Sequence, residues 1–346
     1  MVSGEPVLEY ALTPIAFAEA LDRTADRRRH LLLGNGFSIA VWPDFRYDAL
    51  LTAGVGQNQR VQALFAQFET VDFERVGRAL LETQAVLSVH DGAGPLAARV
   101  AADYRDLRRL LVSAITRIHP AAPAVLEGRF EPCADFLEAF IGVARRSLWG
   151  KVFTTNYDLL LYWTLMRRVD DLAANDGFRG KPLTWQPQAM QAVFYLHGAL
   201  HLFEKDGVTQ KLSAPGRLVD TVGKRIERDD VPLFISEGSS QEKRVRIAES
   251  DYLTTASECL TAACDDPDAC LFIFGHSLRE EDEHIFEKIA EGEIEEVFVS
   301  VRPADTLEAR ARIRATTELW VEKRARRNGP PLTVFSYDPV EAAPWG

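Results

Sequence analysis

The sequence predicts an α/β protein built on a doubly wound, mostly parallel sheet, and three observations predict it. Short β-rich apolar runs recur at Leu31-Leu32-Leu33, Val152-Phe153-Thr154, Val193-Phe194-Tyr195-Leu196, Leu233-Phe234-Ile235, Leu271-Phe272-Ile273-Phe274, Val297-Phe298-Val299 and Leu332-Thr333-Val334-Phe335. Most are continuous rather than alternating, which suits strands buried on both faces. Several are separated by helix-length segments, the spacing of βαβ units. Together they describe a Rossmann-like sheet.

The first run leads into Leu33-Gly34-Asn35-Gly36-Phe37-Ser38. A strand entering a Gly-x-Gly turn lets backbone approach a phosphate, and the helix that follows offers free N–H donors. Ser38 adds a hydroxyl donor. Taken alone the turn is equally an ordinary tight βα turn. It lacks the third glycine, and the acidic residue at a second strand end, that a dehydrogenase uses. Pro43-Asp44-Phe45-Arg46 comes next, a Pro-started turn carrying an aromatic ring and a guanidinium suited to phosphate. From about residue 47 to 148 the rhythm changes. Val61, Leu64, Phe65, Phe68, and again Val76, Ala79 and Leu80, recur at helical spacing, so this stretch reads as a helical insertion, split by the loop His90-Asp91-Gly92-Ala93-Gly94-Pro95.

The second run ends in Thr154-Thr155-Asn156-Tyr157-Asp158, placing Asn156 and Asp158 at the carboxyl edge where open α/β sheets bind ligands. Asp158 serves equally well as the N-cap of a helix starting at Leu159. The third run ends in Tyr195-Leu196-His197-Gly198, where a histidine is suited to general acid–base work or to a structural role. His201 lies four residues on, but Gly198 argues against the helix that a His-x-x-x-His metal pair needs, so no metal is expected. A polar stretch, about residues 203–231, reads as a loop or small flap. Phe274-Gly275-His276-Ser277-Leu278 again combines a strand end with small residues, and the acidic run through Glu280, Glu281, Asp282 and Glu283 suits the start of a helix.

Bulk properties limit the function classes. The 346 residues suit one large α/β domain, residues 1–346, carrying insertions. A net charge of −11 disfavours direct nucleic-acid binding, and the basic cluster Lys323, Arg324, Arg326 and Arg327 reads as a solvated helix face. The four cysteines form no CxxC pair, which argues against structural zinc and for a reduced, cytoplasmic setting. The N-terminal MVSGEPVLEY has no signal-peptide pattern, and no stretch is apolar enough for a membrane span.

In order, these motifs resemble the sirtuin family: Gly34-Asn35-Gly36-Phe37-Ser38, Pro43-Asp44-Phe45-Arg46, Thr154-Thr155-Asn156-Tyr157-Asp158, His197-Gly198, and Gly275-His276-Ser277-Leu278. The resemblance runs from about residue 30 to 300. It implies that Gly34, Asn35, Gly36, Ser38, Thr155, Gly275, His276 and Ser277 bind NAD+. It implies that Phe45 and Arg46 flank nicotinamide and phosphate, that Asp158 helps hold the nicotinamide amide, and that Asn156 and His197 are catalytic. The chain departs from sirtuins in lacking their four-cysteine zinc module and the Gly-Ile before the proline. Its stretch between Asn156 and His197 is longer and contains Asp176-Gly177-Phe178. Asn35 and the helical insertion look more like the bacterial sirtuin-like NAD+ hydrolases of antiphage systems.

The resemblance therefore implies an NAD+ glycohydrolase that uses NAD+ as substrate, needs no metal and depletes NAD in bacterial antiphage defence. The alternatives are a non-catalytic sensor of NAD or ADP-ribose that switches a partner, and a protein deacylase. An always-active hydrolase would be toxic, so the expected partners are further copies of the chain or a defence partner such as a DNA translocase or an Argonaute-type protein. The helical insertion and the basic C-terminal helix are the surfaces expected to meet them.

Overall fold

The computed structural model describes residues 14–54, 58–90, 94–188, 190–213, 218–228, 230–235, 238–302 and 305–346. The N-terminal decapeptide, the middle of the 90–95 loop and parts of the 203–231 stretch lie outside the described residues. In chain order the strands are β1 (Arg28–Leu33), β2 (Val152–Thr154), β3 (Phe178–Arg179), β4 (Leu183–Trp185), β5 (Val193–Tyr195), β6 (Leu202–Lys205), β7 (Val208–Lys211), β8 (Ala269–Phe274), β9 (Glu296–Ser300) and β10 (Thr333–Tyr337). A six-stranded sheet has the order β10-β9-β8-β1-β2-β5, and every neighbouring pair in it is parallel. Counting only its members in chain order, this is 6-5-4-1-2-3, the order of a doubly wound dinucleotide-binding sheet.

Burial on both faces explains why the strand sequences are continuous rather than alternating. Leu31, Leu33, Cys270, Phe272 and Phe274 point into one core, while Leu32, Leu271 and Ile273 point into the other. Helices Asp251–Cys264, Glu283–Glu291 and Leu307–Arg326 cover the second face; Phe17–Arg23, Phe130–Ile141 and Leu160–Arg167 cover the first. The apolar run Leu233-Phe234-Ile235 is not a sheet strand. Phe234 makes only an isolated antiparallel bridge to Gly198, and Ile235 N–H donates to the His197 carbonyl at 2.8 Å. The segment clamps the turn after β5 instead of extending the sheet.

The stretch between β1 and β2 is helical: Tyr47–Gly54, Gln59–Gln67, Phe73–His90, Pro95–Ile118 and Phe130–Ile141. Asn58 caps Gln59–Gln67 by accepting from the N–H groups of Arg60 and Val61, and Pro95 occupies the first turn of the longest helix. Tyr104, Leu107, Leu111 and Ile115 give that helix a buried stripe at helical spacing. The polar stretch around residues 203–231 includes more than a loop. Its β6–β7 hairpin joins β3 and β4 in a four-stranded antiparallel sheet of order β3-β4-β7-β6. The basic C-terminal cluster also differs from a purely solvated face. Arg324 is buried and donates to the carbonyls of Ile289, Ala290 and Ile294, closing the end of the neighbouring helix.

Candidate active site

Between β1 and β8 the winding direction reverses, because the chain proceeds from β1 toward β5 on one side and from β8 toward β10 on the other. Ligands of open α/β sheets bind outside the strand carboxyl ends at such a point. A cleft of about 910 Å³ opens there, lined by residues that follow β1, β2, β5 and β8 and by Phe73, Glu74, Leu111 and Ile115 of the helical insertion. Trp345 lines it too, its indole N–H donating to the Phe37 carbonyl at 2.8 Å. Among the described residues no helix is long and apolar enough to cross a membrane.

The two glycine loops meet backbone to backbone. Gly36 N–H donates to the Gly275 carbonyl at 2.8 Å, and Gly34 N–H to the Phe274 carbonyl at 2.9 Å. A Cβ on Gly36 would lie 2.7 Å from the Gly275 Cα. Gly275 has φ +66°, and a Cβ there would lie 2.6 Å from the Phe37 nitrogen. The loop–loop contact is therefore itself a reason for these glycines. Ser300 accepts the Gly275 N–H at 2.8 Å and ties the loop to the end of β9. Asn35 donates to the Phe45 carbonyl at 3.2 Å, joining the first loop to the turn Pro43–Phe45. Phe45 is buried with its ring edge-on to His119 at 5.5 Å, whereas Arg46 is exposed beside Asp48.

At the ends of β2 and β5 the cleft acquires its polar floor. Asn156 is buried, and its Nδ2 donates to the Gly34 carbonyl and to Ser38 Oγ, each at 3.0 Å. Its Oδ1 is buried without a partner. Asp158 accepts from Ser38 Oγ through one oxygen and from Leu160 N–H, at 2.9 Å, through the other. Asp158 lines the cleft, but it is not the N-cap expected from the sequence: the helix starts at Leu160 with Leu159 as its N-cap, and Asp158 takes the Leu160 N–H from one residue further back. Burial raises its pKa, and these hydrogen bonds oppose the rise. Thr155 N–H donates to the Leu33 carbonyl at 3.0 Å, and Ser277 lies on the rim with its carbonyl accepting from Arg312. Gly34 and Ser38 support the cleft from beneath: Gly34 through its carbonyl, Ser38 through Asn156 and Asp158.

His197 sits at the edge of the cleft inside a cluster with His276, which the sequence singled out, Asp282, which it read as part of a helix start, and His284, Lys243 and Glu74, which it did not single out. Its Nε2 is 3.0 Å from His284 Nε2 and 3.7 Å from Asp282 Oδ1. His276 Nδ1 accepts from Leu278 N–H at 3.1 Å, which leaves a protonated Nε2 facing Asp282 Oδ2 at 3.4 Å. The His276 ring thus joins its own loop, through Nδ1, to Asp282, through Nε2. The buried Lys243 ammonium lies 2.8 Å from Asp282 and 3.4 Å from Glu74. Burial lowers the pKa of His197 well below its ordinary value, with Asp282 opposing, and lowers His284 to about 3. Burial alone would raise Asp282, but Lys243 and the three histidines hold it well below the carboxylate range. Burial raises Glu74 to about 8 despite Lys243.

Asp282 makes no helix-cap hydrogen bond, so the acidic run is not simply capping. Four adjacent carboxylates look alike in sequence, and only the fold buries this one; the signal available was His284 following two positions later. His197, Asp282 and His284 offer donor atoms within 4.8 Å of one another, close enough to hold a metal ion. The Lys243 ammonium competes for that carboxylate.

A sequence profile for the domain of unknown function DUF4917 matches residues 31–343. The chain belongs to the DUF4917 family. No curated protein matches it. The matched residues begin inside β1 and end beyond β10, so this DUF4917 region holds the parallel sheet apart from the first half of β1, and every cleft residue named above except Trp345.

Proposed function

We propose that this cleft hydrolyses NAD+ at the nicotinamide–ribose bond, as the ordered likeness to sirtuins and to sirtuin-like NAD+ hydrolases implies. One observation carries the reading. Asn156 and His197 converge on a single cleft at the switch point of the sheet, and Asn156 Oδ1 is buried there with nothing to bond. A buried acceptor left open in the protein is an expense that a ligand hydroxyl or a water would remove. In the reaction the C1′–N bond breaks and its electron pair leaves with neutral nicotinamide. Water bonds to C1′ and loses a proton. Asn156 orients the ribose hydroxyls or that water. His197, held neutral by burial, accepts the proton and passes it to solvent. The glycine loops hold the ligand, and Ser38 fixes Asn156 and Asp158 beneath it, so that remote binding energy positions the reacting carbon. No step uses a metal.

The same likeness carries the proposed setting: a cytoplasmic defence protein depleting NAD, held in check by self-assembly or by a partner. The test is to incubate the purified chain with NAD+ in the presence of a chelator and separate the products. Equal amounts of nicotinamide and ADP-ribose are expected without any acyl peptide. Cleavage that needs an acyl-lysine peptide would point to a deacylase. Activity lost to the chelator and restored by zinc would transfer the chemistry to the His197, Asp282 and His284 group.

A further inference from the structure

The geometry points to His284 as a positioning residue for His197, one that accepts the His197 Nε2–H and so leaves the Nδ1 lone pair for the cleft. This rests on the reading of His197 as the base. The two Nε2 atoms are 3.0 Å apart, and both histidines are buried, so only one of them carries the proton between them. Two arrangements satisfy that contact. In the first, His197 donates and His284 accepts. In the second the roles reverse, His197 carries its proton on Nδ1, and the cleft meets a donor in place of a base.

The surroundings favour the first. Asp282 Oδ1 lies 3.7 Å from His197 Nε2 and attracts a proton to that atom. Asp282 stays ionised because the buried Lys243 ammonium lies 2.8 Å from it. On its far side His284 has Ser240 Oγ 3.4 Å from Nδ1, and that hydroxyl oxygen already accepts the His284 backbone N–H at 2.8 Å. The second lone pair of Oγ can take an Nδ1–H on His284, the pairing that matches an accepting Nε2. The rings stack with centroids 5.2 Å apart and an interplanar angle of 28°, restricting rotation of His197. Lys243, Asp282 and His284 thus act in series: the cation fixes the carboxylate charge, the carboxylate biases the tautomer, and His284 holds the orientation. When His197 takes the proton from water its Nε2–H bond to His284 is unchanged, and the carboxylate stabilises the imidazolium.

The experiment is long-range ¹H–¹⁵N NMR of histidine-labelled chain without NAD+, with His197→Gln used to assign the signals, beside NAD+ kinetics of His284→Gln and His284→Phe. Wild type should show His197 as the Nε2–H tautomer with an unprotonated Nδ1. His284→Gln, whose carbonyl can accept, should keep that tautomer and most of the activity. His284→Phe should lose the single tautomer and drop kcat on the order of ten- to a hundred-fold at unchanged KM. An Nδ1–H tautomer in wild type, or equal kinetics in both variants, would overturn the proposal. If the wild-type chain released no nicotinamide, the function would fall while the tautomer signals still decided the role of His284.

Discussion

At the scale of single residues, the central object is Asn156. Its Nδ2 is used twice by the protein and its buried Oδ1 not at all, a division that suits a residue fixed by the fold with one acceptor left unused. Asn156→Ala should cut NAD+ turnover about a hundred- to a thousand-fold, as removal of a preorganised polar group does. Its lost hydrogen bonds should cost about 1–2 kcal/mol of stability. Turnover beside a urea melt measures both. A loss of activity matched by collapse of the fold would make Asn156 a structural residue. Asp158→Ala should behave differently, because one of its oxygens takes the Leu160 N–H at the helix start and the other holds Ser38. The Leu160 bond alone is worth about 1 kcal/mol, and turnover should fall less than in Asn156→Ala.

At the scale of elements, the glycine loops are built against each other. Gly275→Ala meets two obstacles at once: φ of +66° and the fixed backbone of Gly36 and Phe37. It should destabilise by more than about 1 kcal/mol and weaken NAD+ binding, read by thermal melting and by KM. A fully stable variant with wild-type KM would show that the loops do not form the floor of a binding site. The strands that carry this floor were legible, since burial on both faces writes continuous apolar runs. Leu233-Phe234-Ile235 has the same composition, yet it pairs with the turn after β5; composition reports burial, not the partner. The antiparallel sheet was hidden because β3 and β4 are only two and three residues long. The candidate site was half legible. Residues at strand ends announce themselves by following a strand. Lys243, Asp282 and His284 come from helix starts in charged sequence, where nothing distinguishes a buried ion from a solvated one.

At the scale of the whole molecule, the histidines set an acid limit. The chain has seven, and burial lowers the pKa of His30, His119, His197, His201, His276 and His284, to about 3, 4 and 3 for His30, His119 and His284. Their folded pKa values lie below the unfolded value of about 6.5, so the unfolded chain takes up protons that the folded chain refuses. The stability they contribute is complete above about pH 6.5 and is lost as pH falls toward 3, by up to about 1.4 kcal/mol per pH unit for each histidine. Glu74 acts in the opposite sense. Its raised pKa of about 8 contributes stability below the unfolded carboxylate value, lost as pH rises through 8, but it is one group against several. Melting temperature should therefore fall steeply between pH 6.5 and 5. A flat profile there would mean that these histidines are hydrated in solution.

The central claim is that this cleft breaks the nicotinamide–ribose bond with His197 as base. The most direct measurement is nicotinamide release from NAD+ by wild type and His197→Ala at matched concentration, each with its melting curve. The account predicts release by wild type, a rate about a hundred- to ten-thousand-fold lower in the variant, and a variant that still melts cooperatively. Wild-type release by His197→Ala would contradict it.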